Sequence, residues 1–180
     1  MQPDGGSAVQ TDDMDPLVDL LPGDVDRLAR RLLKEACARG LTLATAESCT
    51  GGLIGATLTD VEGYSHAFER GFIVYSEAAK AELLAVPRAL IDRCGAVSRP
   101  VALAMAEGAL ARSGADIALA VTGFAGKAGA EGEDGLVHFA CSRRGHPIRH
   151  REEHFGAAGR SAVRADSVRV ALAMMIEALG

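Results

Sequence analysis

The sequence is short of positive charge and of closely spaced cysteines, and both shortages exclude classes of protein. Its 19 Lys and Arg residues are outnumbered by 24 Asp and Glu residues, which gives a formal net charge of -5. A nucleic-acid-binding surface needs clustered Lys and Arg to contact phosphates, so we expect no nucleic-acid partner. The four cysteines lie far apart and form no C-x-x-C pair, which argues against a zinc framework or a small disulfide-rich secreted fold. We therefore expect reduced thiols in a cytoplasmic protein.

Long apolar runs are also absent. No stretch approaches the roughly 18 consecutive apolar residues of a membrane-spanning helix, and the N-terminus carries acids instead of the basic and apolar regions of a secretory signal. We expect neither membrane insertion nor secretion. Residues 1–23 are rich in Gly, Pro, Ser and Asp without a sustained period, which predicts a disordered acidic tail. Residues 24–180 are enough for one domain with a sizeable core, since 48% of the sequence is hydrophobic.

From Asp24 onward, helical and strand patterns alternate along the chain. The first helix runs from Asp24 to a stop at Gly40, and Ser98 is expected to cap a later helix that begins near Pro100. We therefore predict an α/β fold, a single layered domain with a mixed, mostly parallel sheet flanked by helices and with ligands at the carboxyl ends of strands. The last two strands should form an antiparallel hairpin. The predicted strands are 41–46, 71–75, 116–122, 136–141 and about 147–155, and the later helices are 53–58, 77–84, 88–93, 100 to about 112 and 160–179.

The segment 46–52, AESCTGG, is the most informative part of the chain. It sets a hydroxyl beside a thiol where a predicted strand turns into a predicted helix. Ser48 and Thr50 are suited to cap that helix. Gly51 and Gly52 have no Cβ atoms, so a ligand can approach the backbone N–H groups there. We expect the turn to favour an anion or a developing oxyanion.

Each candidate catalytic side chain in this region also has a purely structural interpretation. Ser48 by context alone is more readily explained as a helix cap than as a nucleophile. Cys49 is intrinsically the better nucleophile, but it needs a nearby positive group to form a thiolate, so we expect a packed, inert thiol. Lys80 follows the second strand closely enough to reach the same crevice, although most lysines in such positions are simply solvated. It can act as a base if its pKa is lowered toward neutrality. Tyr75 can orient that pair or simply be a half-buried strand residue.

Three histidines near the C-terminus recur at four-residue spacing, which would line one face of a helix. Pro147 and the alternation that follows it favour a strand instead. In a strand, His146, His150 and His154 lie ~13 Å apart at a rise of ~3.3 Å per residue, which is too far to share one metal ion. We therefore predict a solvated edge strand and no metal site there.

Four sequence blocks together resemble the CinA C-terminal domain family. Similarity runs from about Val25 to the closing helix, which also carries GRSAVR at 159–164, so it covers nearly the whole chain except the acidic tail. The family also occurs fused behind a larger nucleotide-binding domain, and this chain resembles the stand-alone form. The four blocks, in matching order and spacing, are TAESCTGG at 45–52, ERGFIVYSEAAK at 69–80, GAVS at 95–98 and VTGFAG at 121–126.

The resemblance implies an amidohydrolase that converts nicotinamide mononucleotide and water to nicotinic acid mononucleotide and ammonia, without a metal or an organic cofactor. It implies that Ser48 is the nucleophile, that Lys80 is its base, and that Tyr75 positions the pair. A small nucleotide is thus the expected partner, and we also expect a homo-oligomer. The substrate-binding residues that it implies are Thr50, Gly51, Gly52, Thr122 near the reacting group, Gly123, and Arg164 near the nucleotide.

The loop at 127–134 departs from the family pattern. The family continues after Gly126 with a proline and a glycine cluster and later a Lys-Pro pair, whereas this chain has the shorter, more acidic KAGAEGED. Acids near a bound phosphate would repel it, although Lys127 would partly compensate. Two alternatives therefore stay open, a non-catalytic binding or scaffold module and a Ser/Lys amidase for another small amide, with a hydrolase centred on Cys49 further behind.

Overall fold

The sheet contains five strands in the order β2-β1-β3-β4-β5, in a computed structural model that describes residues 23–129 and 132–180. The strand β1 pairs in parallel with β2 and β3, while β4 is antiparallel to both β3 and β5. Four strands thus run in one direction, which confirms the predicted mixed, mostly parallel sheet. The strands are β1 (Leu43–Glu47), β2 (Phe68–Ile73), β3 (Ile117–Gly123), β4 (Leu136–Arg143) and β5 (Arg149–His154).

Six helices flank the sheet within these residues. The predicted tail lies outside the described residues except for Gly23, which is the first residue of α1. No described helix is both long and apolar enough to span a membrane. The helices are α1 (Gly23–Ala38), α2 (Leu53–Thr59), α3 (Glu77–Leu84), α4 (Arg88–Cys94), α5 (Arg99–Ala111) and α6 (Arg160–Leu179).

Two local expectations need correction. The second strand begins at Phe68 and not near residue 71, because its start pairs with Leu43 across a register shift before regular pairing resumes. Its charged, exposed first residues hide the strand pattern. Ser98 does occupy the position before α5, but its hydroxyl donates to the carbonyl of Gly95 at 2.9 Å and does not cap the helix.

The sheet separates two hydrophobic layers because successive strand side chains point to opposite faces. On β3, Ile117, Leu119 and Val121 pack into the layer with α1, α2 and α6. The alternate residues, Ala118 and Ala120, pack into the layer with α3, α4 and α5. Small side chains thus face α5, which can lie close to the sheet.

The parallel pairing decides where a site can form. Since β1, β2 and β3 run in the same direction, their carboxyl ends at Glu47, Ile73 and Gly123 reach the same edge of the sheet. The segments that follow these three strands therefore converge on one crevice. The apolar residues Leu172 and Met175 of α6 are fully buried in the core.

Candidate active site

The turn after β1 is organised by the buried carboxylate of Glu47, and not by the hydroxyl groups of Ser48 and Thr50. The predicted capping role of those two hydroxyls is wrong, because the helix α2 has Gly52 at its N-cap position without a side-chain cap. A carboxylate is favourable at a helix N-terminus, where unpaired N–H groups and the helix dipole both attract negative charge. The carboxylate of Glu47 accepts hydrogen bonds from Thr50 Oγ1 at 2.7 Å, Gly52 N at 3.1 Å, Ile54 N at 3.0 Å and Gly55 N at 2.8 Å.

The two glycines of this turn are needed for its shape. Gly51 and Gly52 have φ values of 62° and 94°, a region that residues with a Cβ rarely adopt. Their N–H groups are already used, since Gly51 donates to the carbonyl of Ser48 and Gly52 donates to Glu47. The expectation that these two N–H groups receive an oxyanion is therefore wrong.

The side chains of Ser48 and Lys80 are in direct contact. Lys80 lies on α3 and is only 1% exposed, and its Nζ is 2.9 Å from Ser48 Oγ. The same nitrogen donates to the carbonyls of Val74 at 3.0 Å and Tyr75 at 3.4 Å. Two N–H groups of a neutral amine can serve the two carbonyls, which leaves the nitrogen lone pair for the hydroxyl of Ser48.

Burial lowers the pKa of Lys80 below the ordinary lysine value, because the charged ammonium loses its hydration. A Cys49 thiolate would oppose this shift, and the negative charge of Glu77 opposes it. The two carbonyl acceptors beside the amine carry only partial charge. Lys80 therefore meets the condition that a general base requires, a raised population of the neutral amine near the hydroxyl it would deprotonate.

The neighbouring thiol is unsuited to nucleophilic attack. Cys49 is buried, and burial raises its pKa to about 12. A thiol with such a pKa contains almost no thiolate at neutral pH, and the thiolate is the nucleophilic form. This agrees with the expected inert Cys49 and argues against a hydrolase centred on it.

A cavity of about 330 Å³ opens beside the Ser48–Lys80 contact. It lies within the range of ~300–1,000 Å³ that is common for small-molecule sites. The segments after β1, β2 and β3 line it together with the loop before α5 and the start of α6. Its polar and backbone lining includes Ser48, Lys80, Thr122, Gly123, Lys127 and Arg160.

Two predicted residues at the end of β3 lie in this cavity wall. Thr122 is buried, and its hydroxyl donates to the carbonyl of Ala96 at 2.9 Å, which joins β3 to the loop before α5. Gly123 lies tightly against β4, because a Cβ at this position would be 2.6 Å from a methyl carbon of Val137. The end of β3 is therefore fixed by contacts with the loop before α5 on one side and with β4 on the other.

The outer rim of the cavity is formed by Tyr75 and Arg160. Tyr75 is 62% exposed, and its hydroxyl accepts a hydrogen bond from Arg160 Nη2 at 3.0 Å. Only the backbone carbonyl of Tyr75 contacts Lys80, so any positioning of the amine by Tyr75 acts through the main chain. Arg160 is not among the site residues predicted from the sequence, although it belongs to the same GRSAVR block as Arg164.

Four of the predicted substrate-binding residues lie behind the turn and do not line the cavity. Arg164 donates from Nη2 to the carbonyl of Thr50 at 2.7 Å, and the hydroxyl of Thr50 is bonded to Glu47. Gly51 lies beside the Arg164 guanidinium, and Gly52 donates to the Glu47 carboxylate. The structure brings these residues together as a support for Ser48, and their contact with a substrate stays a prediction.

A larger groove of about 790 Å³ runs along α3, α4 and α5. Its lining is mainly apolar and includes Leu84, Leu90 and Leu103. Neither Ser48 nor Lys80 lines it. We therefore assign the chemistry to the smaller cavity.

In the loop at 127–134, which departs from the family pattern, the described acidic residues do not line the cavity. Asp134 accepts a hydrogen bond from Ala128 N at 2.7 Å. Glu133 lies 2.8 Å from a ring nitrogen of His154 on β5. Lys127 is the charged residue of this loop that lines the cavity, while residues 130 and 131 lie outside the described residues.

The family profile for the CinA C-terminal domain matches residues 25–179. This chain belongs to the CinA C-terminal domain family. The match covers all the strands and nearly all of the described helical segments. It thus confirms the family that the four sequence blocks resemble.

Curated relatives of this CinA domain are longer proteins. A CinA-like protein of Akkermansia muciniphila is 50% identical over 120 residues, which are 66% of this chain and 29% of the relative. A CinA-like protein of Chlorobium luteolum is 63% identical over 107 residues, or 58% of this chain and 25% of the relative. The chain therefore matches less than a third of the length of each of these relatives.

Solved structures of the CinA superfamily share the fold over most of their length. The competence/damage inducible protein CihA of Agrobacterium tumefaciens superposes with a TM-score of 0.85 at 47% identity and covers 88% of this chain and 97% of its own. The competence damage-inducible protein A of Klebsiella pneumoniae gives a TM-score of 0.82 at 36% identity and covers 86% and 96%. The CinA domain thus has the architecture of known structures.

The Glu47 carboxylate should be essential for the stability of the turn. Glu47→Gln removes the charge and places an NH₂ donor among N–H groups. We expect the free energy of unfolding to fall by roughly 2–4 kcal/mol, since hydrogen bonds to charged groups contribute ~1.5–3 kcal/mol and an unpaired buried donor costs ~1–3 kcal/mol. Urea denaturation measures this change.

Glu82→Gln is the matched control for this measurement. Glu82 is exposed on α3, so its substitution should change the free energy of unfolding by less than about 0.5 kcal/mol. A loss below about 1 kcal/mol in Glu47→Gln would show that the turn does not depend on the carboxylate.

Proposed function

We propose that this domain hydrolyses the carboxamide of nicotinamide mononucleotide, releasing ammonia and nicotinic acid mononucleotide. The observation that carries the proposal is the 2.9 Å contact between Lys80 Nζ and Ser48 Oγ inside a cavity of small-molecule size. A hydroxyl is a weak nucleophile until an adjacent base accepts its proton. A buried lysine with a lowered pKa is such a base.

In the first half-reaction, Ser48 Oγ attacks the carboxamide carbon while its proton passes to Lys80 Nζ. The resulting tetrahedral intermediate carries an oxyanion. Its collapse breaks the carbon–nitrogen bond, and the Lys80 ammonium returns the proton to the departing amine, which leaves as ammonia. The products of this step are ammonia and an ester between the nicotinoyl group and Ser48.

In the second half-reaction, water attacks the ester carbonyl and gives a proton to Lys80. Collapse of the second tetrahedral intermediate breaks the bond to Ser48 Oγ, which recovers its proton from Lys80. The carboxylic acid formed loses its remaining proton to solvent, and nicotinic acid mononucleotide leaves as a carboxylate. The same amine therefore acts alternately as base and acid, which favours a pKa near the working pH.

The oxyanion needs N–H donors that the turn does not already use. Cys49, Ala125 and Gly126 all line the cavity. No backbone carbonyl within residues 23–129 and 132–180 accepts a hydrogen bond from their N–H groups. The N–H of the residue after the nucleophile is a common oxyanion donor on strand-to-helix turns. We assign Cys49 N–H as the first donor.

The charges around the cavity support a phosphorylated pyridinium substrate. The positive pyridinium ring withdraws electrons from the carboxamide carbon, and its charge beside Lys80 would further favour the neutral amine. Arg160 and Lys127 line the same cavity and offer two positive groups to a phosphate. Glu133 and Asp134 are bonded elsewhere, so Lys127 is the charged residue that the described part of the 127–134 loop places at the cavity.

Ser48→Ala should abolish ammonia release from nicotinamide mononucleotide. We expect at least a thousandfold loss of kcat/KM, because the variant lacks the group that forms the ester. The measurement is an ammonia assay on purified protein, with the nucleotide product identified by its mass. Cys49→Ala is the control and should retain most of the activity.

Two results would contradict this assignment. Activity in Ser48→Ala and none in Cys49→Ala would transfer the nucleophile to the thiol. No release by the folded parent protein would favour a binding module or another amide substrate.

The pH profile should report the titration of Lys80. Because the neutral amine is the active form, kcat/KM should rise with pH and level off above the pKa of Lys80, which burial places below the usual lysine range. Lys80→Arg keeps the positive charge but cannot release a proton near neutral pH. We expect it to lose at least a thousandfold in kcat/KM.

Lys34→Arg is the matched control, since Lys34 is exposed on α1. It should keep both the rate and the pH profile of the parent. Activity of Lys80→Arg within tenfold of the parent would refute a role for Lys80 as the base.

Arg160→Gln should weaken recognition of the phosphate and leave the chemistry intact. We expect KM for nicotinamide mononucleotide to rise by about tenfold, the equivalent of ~1.4 kcal/mol, with kcat little changed. Nicotinamide riboside lacks the phosphate, and its kinetics should be the same with the parent and with Arg160→Gln.

Tyr75→Phe is the matched control. It removes the same rim hydrogen bond but keeps the Arg160 charge, so it should leave KM for the nucleotide within about twofold. Equal losses on both substrates would exclude a phosphate role for Arg160.

A further inference from the structure

Two histidines and a glutamate come together on the hairpin of β4 and β5, away from the Ser48–Lys80 pair. His138 on β4 lies directly opposite Glu152 on β5, and His150 lies opposite Ala140, two residues along from His138. The alternation of strand side chains puts all four on one face of the sheet. Ala140 packs in the layer with α5, so the cluster lies on the α5 side.

Two of the distances between ligand atoms in this cluster are close to those around a metal ion. His138 Nδ1 is 3.2 Å from His150 Nε2 and 3.3 Å from Glu152 Oε2, and the three ligand atoms all lie within 4.8 Å of one another. Ligand atoms at ~2.0–2.2 Å from a tetrahedral zinc ion are separated by roughly 3.3–3.6 Å. A metal ion would therefore fit among the three atoms with small side-chain adjustments.

One histidine of the cluster is buried, and charged side chains act on the other ligands. His138 is only 6% exposed and is fixed in the sheet. The charge of Arg99 acts on His150 and opposes a cation, whereas the carboxylate of Glu152 attracts one.

A fourth residue holds the glutamate in place. His154 Nε2 lies 3.1 Å from Glu152 Oε1, the oxygen that does not face His138. Its other ring nitrogen lies 2.8 Å from Glu133 Oε1. Partners of this kind orient metal-binding carboxylates.

We propose that His138, His150 and Glu152 bind one divalent transition-metal ion of the zinc class, with His154 orienting the glutamate. Imidazole and carboxylate are the ligand types that such ions take, and three protein ligands leave the fourth tetrahedral position open. The ion would join the edge strand β5 to β4. His138 also lies opposite Thr122 on β3, so the ion would bind one strand away from the candidate active-site cavity.

Zinc titration of the chelator-treated, untagged protein tests this proposal. Isothermal titration calorimetry with zinc chloride should give one ion per chain, and saturating zinc should raise the melting temperature because it binds the folded state. His150→Ala and Glu152→Gln change partly buried or exposed residues and should each weaken zinc binding by at least a hundredfold. His154→Ala should weaken it by about 10–100-fold, as for other orienting partners.

His66→Ala is the matched control, since His66 is exposed near the opposite edge of the sheet. It should bind zinc as the parent does. No zinc uptake by the folded parent, or an affinity unchanged in both His150→Ala and Glu152→Gln, would overturn the proposal. The His138–His150 contact would then be a hydrogen bond between two rings.

Discussion

The candidate active site depends on the buried carboxylate of Glu47 at the end of β1. One side chain bonds the hydroxyl of Thr50 and three N–H groups at the start of α2, so the chain must reverse tightly within a few residues. Hydrogen bonds on both sides fix the start of the turn. Ser48 N donates to the carbonyl of Val121 on β3, and Val74 N, just after β2, donates to the carbonyl of Glu47. Ser48 is therefore presented from a rigid turn. The helix N-terminus is used to build the turn, so oxyanion donors must come from elsewhere in the cavity.

A second constraint is the burial of Lys80. An ionised ammonium loses hydration worth several kcal/mol in such a place, and the carbonyls of Val74 and Tyr75 replace only part of it. This imbalance is the physical cause of the lowered pKa. The same burial raises the pKa of Cys49 to about 12. One environment thus prepares the amine as a base and keeps the adjacent thiol protonated.

The residue patterns predicted much of the fold because helices and strands are local structures. The predicted ranges of α3 and α6 agree with the structure, and the strands and helices follow one another along the chain as predicted. The start of β2 was missed because Glu69 and Arg70 are exposed on an edge strand and give no apolar alternation. The cap of α2 was assigned to the serine and threonine that usually serve there, whereas a glutamate at the end of the preceding strand satisfies the helix.

The sequence by itself determined the family, the order of strands and helices, and the turn that carries Ser48, since all of these depend on neighbouring residues. Only the tertiary structure decided which side chains face one another across the chain. Arg160 and Arg164 are one helical turn apart, yet the first lines the cavity and the second supports Thr50 from behind. The spacing of His146, His150 and His154 predicted that these three do not bind one metal ion together. The register of β4 against β5 instead brings His150 to His138. Strand register and helix packing set these distances, and neither is encoded in local spacing.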